Sequence, residues 1–147
     1  MKSNQMEIKF KSYSENESFA RSVVAAFCVQ LNPTLEELGD IKTAVSEAVT
    51  NCVVHAYPNS IGDISIKVLI WDNLVTIIVT DFGIGIDDIE KAKEPFYTTR
   101  PSEERSGMGF TVMEGFMDSV DVKNNKKGGV SVKLTKKIKS LKETKVG

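Results

Sequence analysis

The chain has 147 residues, of which 41% are hydrophobic and 27% charged, and this composition is typical of one globular domain. Its 19 Lys and Arg against 20 Asp and Glu give a net charge of −1, so there is no general reason to expect nucleic acid or an anionic membrane as partner. The amino terminus has no apolar signal segment and no 18-residue apolar run follows, so we expect a cytoplasmic protein.

The chain contains two cysteines, Cys28 and Cys52, each within an apolar, helix-like run. Two cysteines are too few for a disulfide scaffold, and no CxxC pair indicates zinc. Because unpaired cysteine is among the most buried residue types, we expect both to be small core residues.

The first elements predicted are a strand and a helix. Met6–Ser12 alternates apolar and polar residues, as a half-buried strand does. Ser14 and Glu17 fit a capping box at the start of a helix, and apolar residues then recur with helical spacing. Asn32-Pro33 predicts the end of that helix.

A second helix is predicted between Thr34 and about Ala56. Thr34 and Glu37 form another capping-box pattern, and Leu38 to Val53 keeps an apolar side. Two β-rich runs follow and predict a hairpin. The remaining elements are predicted as hairpin strands Ile64–Trp71 and Leu74–Thr80, glycine loop Asp81–Gly85, short helix Ile86–Lys93, loop or lid Glu94–Gly107, helix Gly109–Met117, and strands Ser119–Lys123 and Gly129–Leu134.

The order β-α-α-β-β-loop-α-β-β predicts an α+β fold, a two-layer sandwich in which helices cover one face of a mixed, mostly antiparallel sheet. Neither an internal repeat nor a dividing linker is evident, so residues 1–147 are expected to form a single domain. The lysine-rich tail, from about 137 to 147, is expected to fray.

Three motifs carry candidate chemistry, and the first is a polar stripe on the second helix. Glu47, Asn51 and His55 are spaced by four and so share one helix face. The Glu could accept a proton from an attacking hydroxyl, and the Asn oxygen could ligate Mg²⁺. Taken alone, the stripe is more typical of the solvated face of a surface helix. His55 could be a ligand or phosphoacceptor, or a hydrogen-bonded residue near the helix end.

The second motif, Asp81-Phe82-Gly83-Ile84-Gly85, comes directly after a predicted strand. A carboxylate at a strand end could accept a hydrogen bond from an exocyclic amine such as that of adenine. The glycines would let the backbone approach a ligand closely. A plain glycine turn is the alternative.

The third motif, Arg105-Ser106-Gly107-Met108-Gly109-Phe110, leads into a predicted helix. Amides exposed before a helix could bind phosphate, and Arg105 could pair with a terminal phosphate. Val112 occupies the place of a third glycine and no GK[ST] occurs, so the motif is neither a dinucleotide fingerprint nor a Walker loop. By itself it could be a flexible surface loop.

These three motifs occur together and in order, and the arrangement resembles the GHKL superfamily of ATPases and kinases, which share the Bergerat fold. Within it, the segments Ser14–Arg21, Val45–Asn51 and Arg105–Phe110 are similar to the anti-sigma F factor family of endospore-forming bacteria. The resemblance covers about residues 6–136.

The resemblance implies a homodimeric serine kinase that uses ATP and Mg²⁺, holds sigma factor F inactive and phosphorylates a serine of an anti-anti-sigma partner. It implies that Glu47 is the general base, that Asn51 holds Mg²⁺, and that Arg21 contacts both protein partners. The residues expected to bind ATP or ADP are Asn51, Asp81, Gly83, Gly85, Thr98, Thr99, Arg105, Ser106, Gly107, Met108 and Gly109, with Arg105 on the terminal phosphate.

One departure from the family pattern concerns the adenine site. The family often has Gly-Thr before the last strand, whereas Gly129 is here followed by Val130 and then Ser131. Strand alternation should point Ser131 away from the site. Two other functions stay open: a nucleotide-gated binding module without phosphotransfer, and an ATPase of the gyrase or mismatch-repair kind, although the chain lacks a transducer domain. A sensor histidine kinase is disfavoured because there is no room for a histidine-phosphotransfer domain.

Overall fold

The structure is a computed structural model that describes residues 2–94 and 109–139. It has the predicted α+β architecture, with five strands and four α-helices in these ranges. A 3₁₀ turn at Val29–Leu31 and a π-helical turn at Cys52–Ala56 extend the first two helices. In chain order the elements are β1 (Ser3–Lys11), α1 (Asn16–Cys28), α2 (Leu35–Asn51), β2 (Asp63–Trp71), β3 (Leu74–Asp81), α3 (Ile89–Ala92), α4 (Gly109–Phe116), β4 (Ser119–Asn124) and β5 (Val130–Lys137).

The strands form one sheet in the order β1-β2-β3-β5-β4. A mixed, mostly antiparallel sheet was expected, and all four pairings among the described residues are antiparallel. Alternate residues of each central strand face the helices, as Ile64, Ile66 and Val68 do in β2. The hydrophobic core therefore lies between this face of the sheet and helices α1, α2 and α4.

The start of α2 forms as the sequence predicts. The Thr34 hydroxyl accepts a hydrogen bond from the Glu37 amide at 3.0 Å, and the Glu37 carboxylate accepts one from the Thr34 amide at 2.9 Å. This capping box satisfies two amides that the helix itself leaves without partners.

The capping box predicted at the start of α1 is wrong. The Glu17 amide donates to the carbonyl of Ser14 at 3.2 Å, so the Ser14 side chain is not needed there. The Glu17 carboxylate instead accepts from Arg21 Nη1 at 2.9 and 3.1 Å. Arg21, one turn further along the helix, offers this carboxylate a charged partner. The capping-box pattern does not take such a partner into account.

The tail is ordered further than the sequence predicts. β5 extends to Lys137, Ile138 is fully buried, and its amide donates to the Asn73 carbonyl at 2.8 Å. The Lys139 amide then donates to the Glu37 carboxylate at 2.7 Å. One apolar residue within a lysine-rich run thus fixes the chain to the core, and fraying from 137 to 139 was wrongly expected.

Both cysteines are buried, as predicted. Burial raises the pKa of the Cys28 thiol to about 12, which makes the thiolate scarce at neutral pH. Within residues 2–94 and 109–139, none of the helices combines the length and the hydropathy needed to cross a bilayer.

Candidate active site

The first wall of the site is the end of α2. After Asn51 the helix widens into the π-turn Cys52–Ala56, a feature that often marks functional sites. Asn51 and His55, which were predicted to share a face, both line the cavity described below. The π-turn leaves the carbonyl of Ala56 free to accept a hydrogen bond from the Ile84 amide at 3.2 Å.

The second wall is built around Asp81, the last residue of β3, which is only 4% exposed. Its Oδ1 accepts hydrogen bonds from the amides of Gly83 and Val130, each at 3.1 Å. Burial raises the pKa of Asp81, while these two amides and the Cys52 thiol, a further donor, favour the carboxylate. A carboxylate has about four acceptor positions on its two oxygens, so Asp81 keeps capacity for a ligand donor beside these partners.

A cavity of about 550 Å³ lies between these walls. Its volume falls in the range of small-molecule sites. Apolar residues such as Val130, Val132 and Phe110 line part of it, while polar side chains come from Asn51, His55, Asp81, Asp87, Asp88 and Lys91. The described lining residues are Ala48, Asn51, Cys52, His55, Ala56, Asp81, Ile84, Gly85, Ile86, Asp87, Asp88, Lys91, Ala92, Gly109, Phe110, Val130 and Val132.

The predicted glycine loop at Asp81–Gly85 packs against the end of α2. A Cβ at Gly83 would overlap the Ala56 carbonyl, so only glycine fits this approach of two backbones. Gly85 has φ of +81°, a conformation that favours glycine. The Phe82 amide donates to the Tyr57 hydroxyl at 2.8 Å, which fixes the loop further.

The first and third motifs meet at the start of α4. A Cβ at Gly109 would lie 3.2 Å from Asn51 Oδ1 and 3.4 Å from Glu47 Oε2. Glycine therefore lets this helix approach the polar face of α2. Glu47 is half-buried and is not among the described lining residues, so its carboxylate stands beside the cavity rather than in its wall.

The donor set suits Mg²⁺ held jointly with a ligand. No cluster of three or more His, Cys, Asp or Glu that could hold a metal occurs in residues 2–94 and 109–139. An amide oxygen is nevertheless present in the cavity wall, on Asn51. Mg²⁺ is commonly bound by one or two protein oxygens together with waters and substrate phosphates, and Asn51 fits such a partial set.

Several predicted site residues lie outside the described ranges, and nothing in the structure tests them. They are Thr98, Thr99, Arg105, Ser106, Gly107 and Met108. Arg21, predicted to bind protein partners, lies on α1 and is not among the residues that line the cavity. Its side chain is 40% exposed while one nitrogen contacts Glu17.

The side chains around Val130 have the predicted orientation. Val130 and Val132 line the cavity, whereas the Ser131 hydroxyl bonds to Thr80 at 3.1 Å and to Asn125 Oδ1 at 3.0 Å. The Val130 side chain brings no hydroxyl, but its backbone amide contacts Asp81. The cavity wall here is therefore apolar, with one backbone donor.

Sequence analysis missed three contributors to the site. Cys52 was assigned to the core, yet its thiol donates to Asp81 and it lines the cavity. Tyr57 and Asn124 fix the glycine loop from segments far away in sequence. No local pattern signals such contacts, although polar residues at the ends of predicted elements could have drawn attention to them.

The fold and the cavity define a histidine kinase-like ATPase domain, and residues 10–136 match the family model of that description. Among solved structures, the catalytic domain of the histidine kinase ThkA superposes with a TM-score of 0.58 at 17% identity, covering 90% of this chain and 96% of that one. This likeness shows the shared fold.

Relatives named anti-sigma F factor are much more similar in sequence. The one from Caldanaerobacter subterraneus subsp. tengcongensis is 61% identical, with 92% of this chain and 94% of the relative covered. Those from Thermoanaerobacter sp. and Clostridium acetobutylicum are 60% and 56% identical, with 93% of this chain and 96% of each relative covered. The chain belongs to the anti-sigma F factor family of histidine kinase-like ATPase domains.

Proposed function

We propose that this chain is a cytoplasmic anti-sigma factor and a protein serine kinase. It binds sigma factor F and keeps it inactive, and it transfers the terminal phosphoryl group of ATP to a serine of an anti-anti-sigma partner. The observation that carries the enzymatic part is the convergence of Asn51, Asp81 and Gly109 on one cavity. The names of the relatives support the anti-sigma part.

Two parts of the cavity lining suit different parts of a nucleotide. The buried Asp81 offers a carboxylate oxygen to the exocyclic amine of adenine, and the apolar walls at Val130 and Val132 suit the faces of the ring. The start of α4 at Gly109 lies against Asn51. The positive end of a helix dipole favours phosphate at that position.

The proposed transfer uses Glu47 as the base. Its carboxylate takes the proton of the partner's serine hydroxyl as the serine oxygen attacks the terminal phosphorus of ATP. The bond from that phosphorus to the bridging oxygen breaks, and ADP leaves. Asn51 would supply one oxygen to hold Mg²⁺, which would neutralise charge at the phosphates. Arg105 is proposed to contact the terminal phosphate.

The alternative is a nucleotide-gated binding module that does not transfer phosphate. One observation favours this alternative: Glu47 is not among the described residues that line the cavity. The two functions differ in one result. Both bind nucleotide and hold a sigma factor, but only the kinase labels a partner.

The proposed protein contacts involve two surfaces. Arg21 is proposed to contact both partners, and the outer edge of β1 is a candidate pairing surface for a homodimer. β1 pairs with β2 alone among the described strands, and a free strand edge can pair with another chain. Sedimentation of the purified chain would test the dimer.

The proposed function is tested by nucleotide binding and co-purification. Calorimetry should show binding of ATP and ADP that strengthens with Mg²⁺, and Asp81→Asn should weaken it. A sigma factor should co-purify with the chain in a nucleotide-dependent manner. Absence of nucleotide binding by the folded wild-type chain would exclude both the kinase and the gated module.

A further inference from the structure

Asn124, the last residue of β4, fixes the backbone of a distant loop through its side chain. Its Oδ1 accepts a hydrogen bond from the Ile86 amide at 2.9 Å, and its Nδ2 donates to the Ile86 carbonyl at 2.7 Å. One side-chain amide therefore satisfies both backbone groups of a residue 38 positions away. A neighbouring strand would make the same pair of bonds.

Gly85 allows this contact to form. A Cβ at position 85 would stand 3.0 Å from Asn124 Oδ1, and the φ of +81° is strained for other residues. The sequence pattern attributed Gly85 to nucleotide binding. The structure gives it a second role, because the absence of a Cβ leaves room for the Asn124 amide beside the loop.

The fixed segment forms part of the cavity wall. Ile84, Gly85 and Ile86 line the cavity, whereas Asn124 is not among the described lining residues. Contacts from the end of α2 hold the first half of the loop, through the Ile84 amide on the Ala56 carbonyl. Asn124 holds the second half through Ile86, next to the start of the segment that leads into α3.

We propose that Asn124 is a positioning residue for nucleotide binding, which orders the loop at Gly85 and Ile86 before the nucleotide arrives. This proposal rests on the proposed function. A loop that is already ordered loses little conformational freedom on binding, whereas a loop that is ordered only part of the time weakens the apparent affinity by that fraction. Asn124 acts through Ile86 and does not itself contact the ligand.

The test compares Asn124→Ala with Asn125→Ala in the full chain. Asn125 is adjacent and its side chain also accepts a hydrogen bond, but from Ser131 instead of the loop. With two hydrogen bonds lost, Asn124→Ala should raise the Kd for ADP and ATP alike on the order of tenfold. The rate at saturating ATP should be unchanged. Asn125→Ala should bind as the wild type does.

Hydrogen exchange provides a second readout in the absence of nucleotide. The Ile86 amide should exchange faster in Asn124→Ala, while amides of the central strands β3 and β5 stay protected as in the wild type. Unchanged Kd and unchanged exchange at Ile86, with Asp81→Asn still impaired, would overturn this proposal alone. Failure of the wild type to bind any nucleotide would overturn the proposed function as well.

Discussion

Gly109, the first residue of α4, lies so close to Asn51 that a Cβ at position 109 would stand 3.2 Å from the Asn51 side-chain oxygen. The same Cβ would be 3.4 Å from the Glu47 carboxylate. The start of α4 therefore lies beside two of the three polar residues of the first motif, Asn51 and Glu47. A methyl group at this point would press on the Asn51 side chain, to which we assign metal binding, and would touch Glu47, to which we assign proton transfer.

Gly109→Ala should weaken binding of Mg²⁺ and ATP by about tenfold, because a few tenths of an ångström of displacement at Asn51 disturbs the ligand geometry. Calorimetry with and without Mg²⁺ measures this effect. Gly115→Ala is the matched control in the same helix, since a Cβ there meets nothing within 4 Å. It should leave binding unchanged and stabilise the protein by roughly 0.5–1 kcal/mol. Equal binding by the two variants would contradict the assigned contact.

Asp81→Asn should alter the base preference of the site. The Asn oxygen can keep the bonds from the amides of Gly83 and Val130, so the loop should persist. Its NH₂ group would then face the adenine amine, donor against donor, and ATP affinity should fall by about 10–100-fold. The affinity for inosine triphosphate, which carries an acceptor at that position, should fall less than the affinity for ATP. Competition binding measures the ratio, and an unchanged ratio would show that Asp81 does not read the base.

The pH dependence of the site follows from the raised pKa of Asp81, which is caused by burial. As the pH falls through this pKa, the carboxylate takes up a proton. It then becomes a weaker acceptor for the hydrogen bond from the adenine amine, so ATP affinity should decrease. The folded state of the free protein binds this proton more readily than the unfolded chain does, so ionised Asp81 lowers the free energy of unfolding above that pKa.

Asp81→Asn should remove this cost of the buried charge. The increase in melting temperature of Asp81→Asn over the wild type should therefore be largest at neutral pH. This increase should shrink as the pH is lowered. Calorimetric scans of both proteins, from neutral pH down to acid pH, measure this difference in melting temperature. An advantage that grows toward acid pH would contradict the assignment.

Arg21→Ala should weaken binding of the sigma factor and of the anti-anti-sigma partner and leave ATP affinity unchanged. The side chain is 40% exposed and far in sequence from the cavity residues, and its pair with Glu17 is a surface contact on one helix. Losing that pair should cost only a few tenths of a kcal/mol in stability. Lys67→Ala, an exposed cation on β2, is the control in a pull-down assay. Equal partner binding would make Arg21 a solvated helix residue.

Much of the fold could be predicted because its signals are local. The Thr34–Glu37 capping box and the hairpin turn at Asp72-Asn73 each depend on neighbouring residues. The Ser14–Glu17 box was wrong because Arg21 takes the Glu17 carboxylate and the Ser14 carbonyl takes the Glu17 amide. A four-residue pattern contains no information about either competitor.

The site was predicted less completely because its walls come from distant segments. The residue types at Asn51, Asp81 and Gly109 carry the chemistry that we propose, and the structure brings them to one cavity. The π-turn at Cys52–Ala56 and the contact of Asn124 with Ile86 have no sequence signature. Both depend on tertiary packing, and both determine where the glycine loop lies.

The assignment of Glu47 is tested most directly by phosphoryl transfer from labelled ATP to the anti-anti-sigma partner, with mass spectrometry to locate the modified residue. The wild-type chain should label a serine. Glu47→Ala should slow transfer by roughly 10²–10⁴-fold while keeping most of its ATP affinity, and Asn51→Ala should lose the Mg²⁺ dependence of binding. The proposed kinase mechanism would be contradicted if the wild-type chain binds ATP but leaves the partner unlabelled. It would also be contradicted if Glu47→Ala labels the partner as fast as the wild type does.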